Sequence, residues 1–105
     1  MSADSAKPDH YRVVYSGRVR QRLFALAELA RSRGDGVAFV AALKELDRRL
    51  RIYPQFGEQL FDLKQEAGQV WIGIVRPLSM RYSVFDNLRV VNVGAYPVLL
   101  PRTNS

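Results

Sequence analysis

The sequence predicts an α+β domain in which two helices pack on one face of a small, mainly antiparallel sheet of four to five strands. Residues 18–53 repeat apolar side chains at three- and four-residue spacing, which is the period of an amphipathic helix. The residues on either side of that stretch form short apolar or alternating blocks that end at turn residues, as strands do. The predicted element order is therefore β-α-α-β-β-β-β.

The chain has 105 residues, of which 48% are hydrophobic and 25% are charged. This length suits one hydrophobic core, and the composition is that of an ordinary globular protein. We expect residues 10–105 to form a single domain. Residues 1–9 are small, polar and proline-containing, so we expect them to form a flexible N-terminal tail.

The first strand is expected over residues 11–15, where β-branched and aromatic side chains concentrate. The first helix follows over residues 18–33 and should end at Gly34, because glycine readily adopts the left-handed conformation at a helix end. Asp35 is then a suitable N-cap for a second helix. Pro54 should end that helix, because proline disfavours helical geometry in the residue before it.

The second half of the chain is predicted to be a run of hairpins. Strands are expected over residues 60–63, 70–75, 80–85 and 88–93, with a polar turn at 66–69, a break at 76–79, a tight turn at 86–87 and an edge strand or tail at 98–101. Short connections favour antiparallel neighbours. The first strand should return to pair inside the sheet or at its edge, and the other face of the sheet should stay partly open.

The sequence excludes several classes of site and cellular location. The chain has no cysteine and a single histidine, so neither a structural zinc nor any other metal or cofactor is expected. No apolar run approaches the roughly 20 residues that span a bilayer, and the polar N-terminus lacks the apolar core of a signal peptide. We therefore expect a cytoplasmic protein without a membrane partner.

The charge balance favours an anionic partner. Lys and Arg number 16 against 10 Asp and Glu, a formal net charge of +6, and most of the excess lies in the helical half. A basic surface of this kind serves RNA binding, docking of an acidic protein or simply solubility, and charge alone does not rank these. The candidates for binding a nucleic acid or a partner are Arg12, Arg18, Arg20, Arg22, Arg48 and Arg49.

One stretch carries a family resemblance. The element order, the LxxxP turn at residues 50–54 and the segment VWIGIVRPLSMRYSVFDNLRVVNVG at residues 70–94 together resemble the RelE/ParE superfamily of type II toxin–antitoxin toxins. RelE-like members cleave messenger RNA at the ribosomal A site. The resemblance implies a ribosome-dependent endoribonuclease in which Arg76 and Arg81 grip phosphate and Tyr96 stacks on a base or donates a proton. It also implies a separate acidic antitoxin that wraps the toxin.

The chain departs from the nuclease pattern at two places. The strand before Arg76 reads Ile-Gly-Ile where such nucleases often carry lysines, and no histidine lies near the C-terminus. Acid–base work would then fall to Lys64, Glu58, Glu66 or Tyr96, and no spacing selects among them. ParE-like members share the fold but poison DNA gyrase without that nuclease set. A gyrase inhibitor and a catalytically inactive interaction module of the same fold therefore stay open.

Plain structural roles are also available for these side chains. Arg76 and Arg81 are alternatively exposed charges at strand ends, one of which pairs with Asp62 or Asp86. Trp71 is expected to anchor the core between the sheet and the helices.

Overall fold

The computed structural model describes residues 10–64 and 67–101. The predictions for the tail at residues 1–9 and for Glu66 lie outside these described residues. The fold is α+β with two helices, as predicted, and its sheet is mixed. Its elements in chain order are β1 (Arg12–Tyr15), α1 (Gly17–Ser32), α2 (Gly36–Ile52), β2 (Glu58–Asp62), β3 (Gln69–Val75), β4 (Leu78–Phe85), β5 (Val90–Val93) and β6 (Val98–Leu99). Neither of the described helices is long and apolar enough to cross a membrane.

The strands run in the order β1-β5-β4-β3-β2, and β6, which lies off this path, pairs with β4. The first strand returns to the edge of the sheet, where it lies parallel to β5, while the other pairs are antiparallel. The prediction of four to five strands is too low. The described chain has six, because the segment expected as an edge or tail pairs through Val98 and Leu99 with β4.

The helix boundaries follow local signals, with one exception. The Ser16 hydroxyl accepts a hydrogen bond from the Val19 N–H at 3.1 Å, and Gly34 adopts the predicted left-handed conformation with φ of 79°. Asp35 stands at the N-cap position of α2, but its side chain makes no capping hydrogen bond. Its backbone (φ −108°, ψ 16°) is not extended, and an extended N-cap is what aims the side chain at the first helical N–H groups. The predicted N-cap position is therefore confirmed, but no side-chain hydrogen bond caps the helix there.

The predicted break at residues 76–79 is shorter than expected. Only Arg76 and Pro77 lie between β3 and β4. Leu78 already belongs to β4, because it pairs with Val75 in the strand register and its side chain is fully buried.

The connection between β4 and β5 also differs from the predicted two-residue turn. A 3₁₀ turn at Asp86–Leu88 is followed by Arg89 in the left-handed conformation (φ 54°), so β5 begins two residues later than expected. The carboxylate of Asp86 accepts hydrogen bonds from the Tyr11 hydroxyl and the Gln55 amide. These long-range bonds tie the turn to the helical side of the molecule, and no local sequence signal reports them.

The core lies between the two helices and one face of the sheet. Its largest fully buried members are Leu26, Phe39, Leu46 and Leu50 from the helices and Leu78, Met80, Tyr82, Val84, Val91 and Val93 from the sheet. Trp71 is partly buried against this cluster, as predicted. The opposite face of the sheet carries no helix of the described chain.

Candidate functional site

The face of the sheet opposite the helices, which we call the open face, presents ordered transverse rows of side chains. Directly paired residues on neighbouring strands point to the same side of a sheet. The rows are Phe85, Val90 and Arg12; Phe61, Val70, Ser83, Asn92 and Val14; Glu58, Ile72 and Arg81; and Ile74, Ser79 and Val98. Arg81 therefore occupies the middle of the face.

The sheet has a gap beside Arg81. Ser83 of β4 pairs with Asn92 of β5, and Ser79 pairs with Val98 of β6, while residues 94–97 leave the sheet between these two contacts. Two hollows open on either side of the arginine. One of about 240 Å³ extends toward Phe61, and the other of about 300 Å³ extends toward Tyr96. Arg81 lines both hollows.

The guanidinium of Arg81 is exposed and forms no ion pair or hydrogen bond with any residue in the described ranges. The alternative in which Arg81 forms an ion pair with Asp62 or Asp86 is therefore wrong. Asp62 accepts a hydrogen bond from Gln59 at 2.8 Å, and Asp86 is engaged by Tyr11 and Gln55. An exposed guanidinium without a carboxylate partner is available for bidentate hydrogen bonding to an anionic group.

Tyr96 lies next to this arginine. It belongs to the segment that leaves the sheet, its side chain is 55% exposed, and it lines the same hollow as Arg81. The guanidinium of Arg22 on α1 lies 5.8 Å from the centre of the Tyr96 ring, within the range of a cation–π contact. Of the four residues predicted to be catalytic, Arg81 and Tyr96 are thus brought together.

The other two, Arg76 and Lys64, lie at opposite ends of β3. Arg76 stands in the turn that follows the strand, and Lys64 in the turn that precedes it. At about 3.3 Å per residue, Arg76 is roughly 13 Å along the strand from Ile72, the partner of Arg81. Neither side chain lines a hollow with Arg81.

Glu58 is the carboxylate that the sheet brings into the row of Arg81. It pairs with Ile72, which pairs with Arg81, so the carboxylate and the guanidinium share a face two strands apart. With strands about 4.8 Å apart, their Cα atoms are separated by roughly 10 Å. The Glu58 carboxylate makes no ion pair or hydrogen bond within the part of the chain that the structure describes. In the sequence, Glu58 is only one of four acid–base candidates, and no spacing distinguishes it from the others.

The position of Glu58 is set by the chain just before it. The buried Tyr82 hydroxyl donates a hydrogen bond of 2.6 Å to the carbonyl of Pro54, and burial raises the pKa of Tyr82, so it stays a neutral donor. Gly57 then passes so close to β3 that a Cβ there would lie 2.2 Å from the Ile72 carbonyl oxygen. Only glycine fits this approach, and it delivers the next residue to the open face.

No protein-family model matches the chain, and no curated protein or solved structure matches it either. The likeness to the RelE/ParE superfamily therefore rests on residue pattern and element order alone.

The arginines predicted to bind a partner fall into two groups. Arg48 and Arg49 donate hydrogen bonds to Glu45 at 2.7 and 2.6 Å, and these bonds lower the pKa of Glu45 to about 2. By contrast, four of the predicted arginines form no ion pair with a described carboxylate: Arg12, Arg18, Arg20 and Arg22. Among these six arginines, those without a carboxylate partner therefore lie on the open face and in the first turns of α1, and not at the end of α2.

The donors on the open face suit anion binding better than metal binding. Among the residues with described positions, no group of three or more His, Cys, Asp or Glu side chains could hold a metal ion. The polar groups around Arg81 are the hydroxyls of Ser79 and Ser83, the amide of Asn92 and the phenol of Tyr96. All of these can donate hydrogen bonds to phosphate oxygens.

Proposed function

We propose that this chain is the toxin of a type II toxin–antitoxin system, similar to the RelE/ParE superfamily, and that its open face acts as a RelE-like, ribosome-dependent endoribonuclease with a reduced catalytic set. One observation carries the proposal: an arginine without a carboxylate partner stands at the centre of an uncovered sheet face. A carboxylate lies in the same row, and an exposed tyrosine lines the same hollow.

RNA cleavage by the 2′-hydroxyl needs three groups, and the open face offers one candidate for each. Glu58 takes the proton of the 2′-hydroxyl as its oxygen forms a bond to phosphorus. Arg81 binds the phosphate and stabilises the charge that develops on it. Tyr96 gives a proton to the 5′-oxygen as its bond to phosphorus breaks, which leaves a 2′,3′-cyclic phosphate and a 5′-hydroxyl.

The spacing suits this assignment. A separation of roughly 10 Å between the two Cα atoms, two strand spacings apart, leaves room for a nucleotide between a glutamate and an arginine that reach toward each other. Ile72 lies between them and gives an apolar floor to that space.

A second candidate is a ParE-like inhibitor that binds DNA gyrase. The observation that favours it is the apolar character of the rest of the open face, where Phe61, Ile74 and Val98 are exposed around Arg81. Exposed apolar side chains around an arginine are typical of protein interfaces. This action requires no acid–base pair, so Glu58 would be dispensable.

Induced expression followed by mapping of transcript ends tests the proposal. The wild-type chain should arrest growth and cut transcripts at translated codons. Glu58→Gln and Arg81→Ala should each reduce cleavage by about 100-fold or more, while circular dichroism shows both variants folded. Arg48→Ala is the matched control, because that arginine is already bonded to Glu45 and should leave cleavage unchanged.

The other candidates give different results in the same experiment. Intact transcripts with an induced DNA-damage response would replace the nuclease proposal with the gyrase one. Growth without arrest would overturn both and leave the interaction module of the same fold.

The proposal includes a separate antitoxin. The net charge of +6 fits an acidic partner, and a small acidic protein encoded immediately beside this chain should suppress the growth arrest when both are expressed. Its failure to do so would remove the two-component part of the proposal.

A further inference from the structure

We propose that the binding surface continues from Arg81 across Tyr96 onto the start of α1, where Arg18 and Arg22 bind the backbone of single-stranded RNA. We call these four residues the basic strip. The inference rests on the proposed action on RNA. It adds that the RNA is single-stranded and identifies the side chains that bind it beyond the phosphate that is cleaved.

The strip is continuous because the start of α1 meets the gap in the sheet. The N–H of Ser16, at the N-cap of α1, donates a hydrogen bond of 3.2 Å to the carbonyl of Val93, the last residue of β5. The next residues of the chain form the segment with Tyr96, whose ring is 5.8 Å from the guanidinium of Arg22. Arg18 lies one turn earlier on the same helix face, since residues four apart are neighbours on a helix surface.

The charge of the strip is available to a ligand. Arg18, Arg22 and Arg81 form no ion pair with any carboxylate of the described ranges. The arginines at the end of α2 differ, because Glu45 already accepts hydrogen bonds from Arg48 and Arg49. A phosphate that binds the strip therefore does not have to displace a protein carboxylate, whereas one that binds the end of α2 does.

Tyr96 selects a single strand over a duplex. Binding of single-stranded nucleic acid combines a basic track for the backbone with an exposed aromatic ring on which a base stacks. A duplex keeps its base faces buried in the stack, so it gains nothing from the ring. The strip places Tyr96 between Arg81 and Arg22, with positive charge on both sides of the stacking position.

Two double variants of the full chain test the inference with equal loss of charge. Arg18→Ala/Arg22→Ala removes the helical part of the strip, and Arg48→Ala/Arg49→Ala removes two arginines that are bonded to Glu45. The Kd for a mixed-sequence, single-stranded RNA oligonucleotide is measured by fluorescence anisotropy over a series of salt concentrations. Gel analysis verifies that the oligonucleotide stays intact, and circular dichroism verifies that the variants are folded.

The strip variant should bind about tenfold more weakly or worse. The slope of log Kd against log salt should fall by about 1.4, because each phosphate contact on a single strand contributes about 0.7. The variant at the end of α2 should stay within about twofold of the wild type on the same argument. Tyr96→Ala should weaken binding by about tenfold, the effect of one lost stacking contact, with little change in the salt slope. Tyr96→Phe keeps the aromatic ring and should therefore bind more tightly than Tyr96→Ala.

Equal weakening in both double variants would mean that only bulk charge matters and would overturn the inference. Tighter binding of duplex RNA than of the single strand in the same assay would also overturn it. The proposed function fails separately. Binding with the expected pattern but without growth arrest would refute the toxin proposal alone. If both double variants reduced cleavage in cells equally, only the inference about the basic strip would be refuted.

Discussion

The packing around Gly73 makes a specific prediction about stability. Gly73 faces the core from β3, and a Cβ there would lie 2.5 Å from Cζ of Phe56 and 3.2 Å from Cε1 of Tyr82. The Phe56 ring would therefore have to move by about 1 Å to restore an ordinary van der Waals contact. It is held in place by stacking on Tyr82, with ring centroids 6.3 Å apart, and by the Arg49 guanidinium 5.2 Å from its ring centre.

Gly73→Ala should thus lower the free energy of unfolding. An extra methyl group in a well-packed core costs about 1–3 kcal/mol. We expect about 2 kcal/mol, because the Phe56 ring can move only by losing contacts with Tyr82 and Arg49. For a domain of this size the loss corresponds to a fall in Tm of about 10 °C. Urea denaturation followed by far-UV circular dichroism measures it. The control is Gly94→Ala, because a Cβ at that position has no atom within 4 Å, and its effect should stay within about 0.5 kcal/mol.

A double-mutant cycle with Phe56→Ala identifies the cause. Removing the ring gives the new methyl group room, so Gly73→Ala should cost at least about 1 kcal/mol less in the Phe56→Ala background than in the wild type. Equal costs in the two backgrounds would refute the explanation by steric contact with Phe56.

Two further predictions concern single side-chain bonds. Tyr82→Phe removes the donor to the Pro54 carbonyl and leaves a buried acceptor unpaired. It should lower the free energy of unfolding in urea by about 1–3 kcal/mol. A loss below about 0.5 kcal/mol would show that this bond does not stabilise the turn. Hydrogen bonds from Arg48 and Arg49 lower the pKa of Glu45 from 4.5 to about 2, so its ionised form stabilises the fold above pH 4.5 and that contribution is lost as the pH falls toward 2. The advantage of the wild type over Glu45→Gln in unfolding free energy should therefore shrink across that window, and a difference that does not change with pH would contradict it.

The elements with strong local signals were predictable from the sequence. The apolar period of 3.6 residues located both helices, and Gly34 marked the end of the first because a left-handed helix end is a local preference of glycine. Alternation and turn residues indicated that strands surround the helices, and the two-helix α+β class followed. Each of these inferences depends on neighbours within a few positions of the same segment.

Features that depend on distant parts of the chain were not predictable in this way. The turn after β4 is held by hydrogen bonds from Tyr11 and Gln55 to Asp86. The strand β6 forms only because Val98 and Leu99 pair with β4. Neither has a local signature, since a two-residue strand has no measurable period and a long-range hydrogen bond leaves no spacing to detect.

The candidate site shows the same division. The order of amino acids is enough to show which side chains with suitable chemistry are present, including Arg76, Arg81, Lys64 and Tyr96. Strand register decided which of them meet, because a shift of one residue turns every side chain to the opposite face of the sheet. That register separates Arg76 and Lys64 from Arg81 and brings Glu58 into its row. Only the folded sheet decides it, since pairing between strands is set by packing and turn geometry across the whole domain.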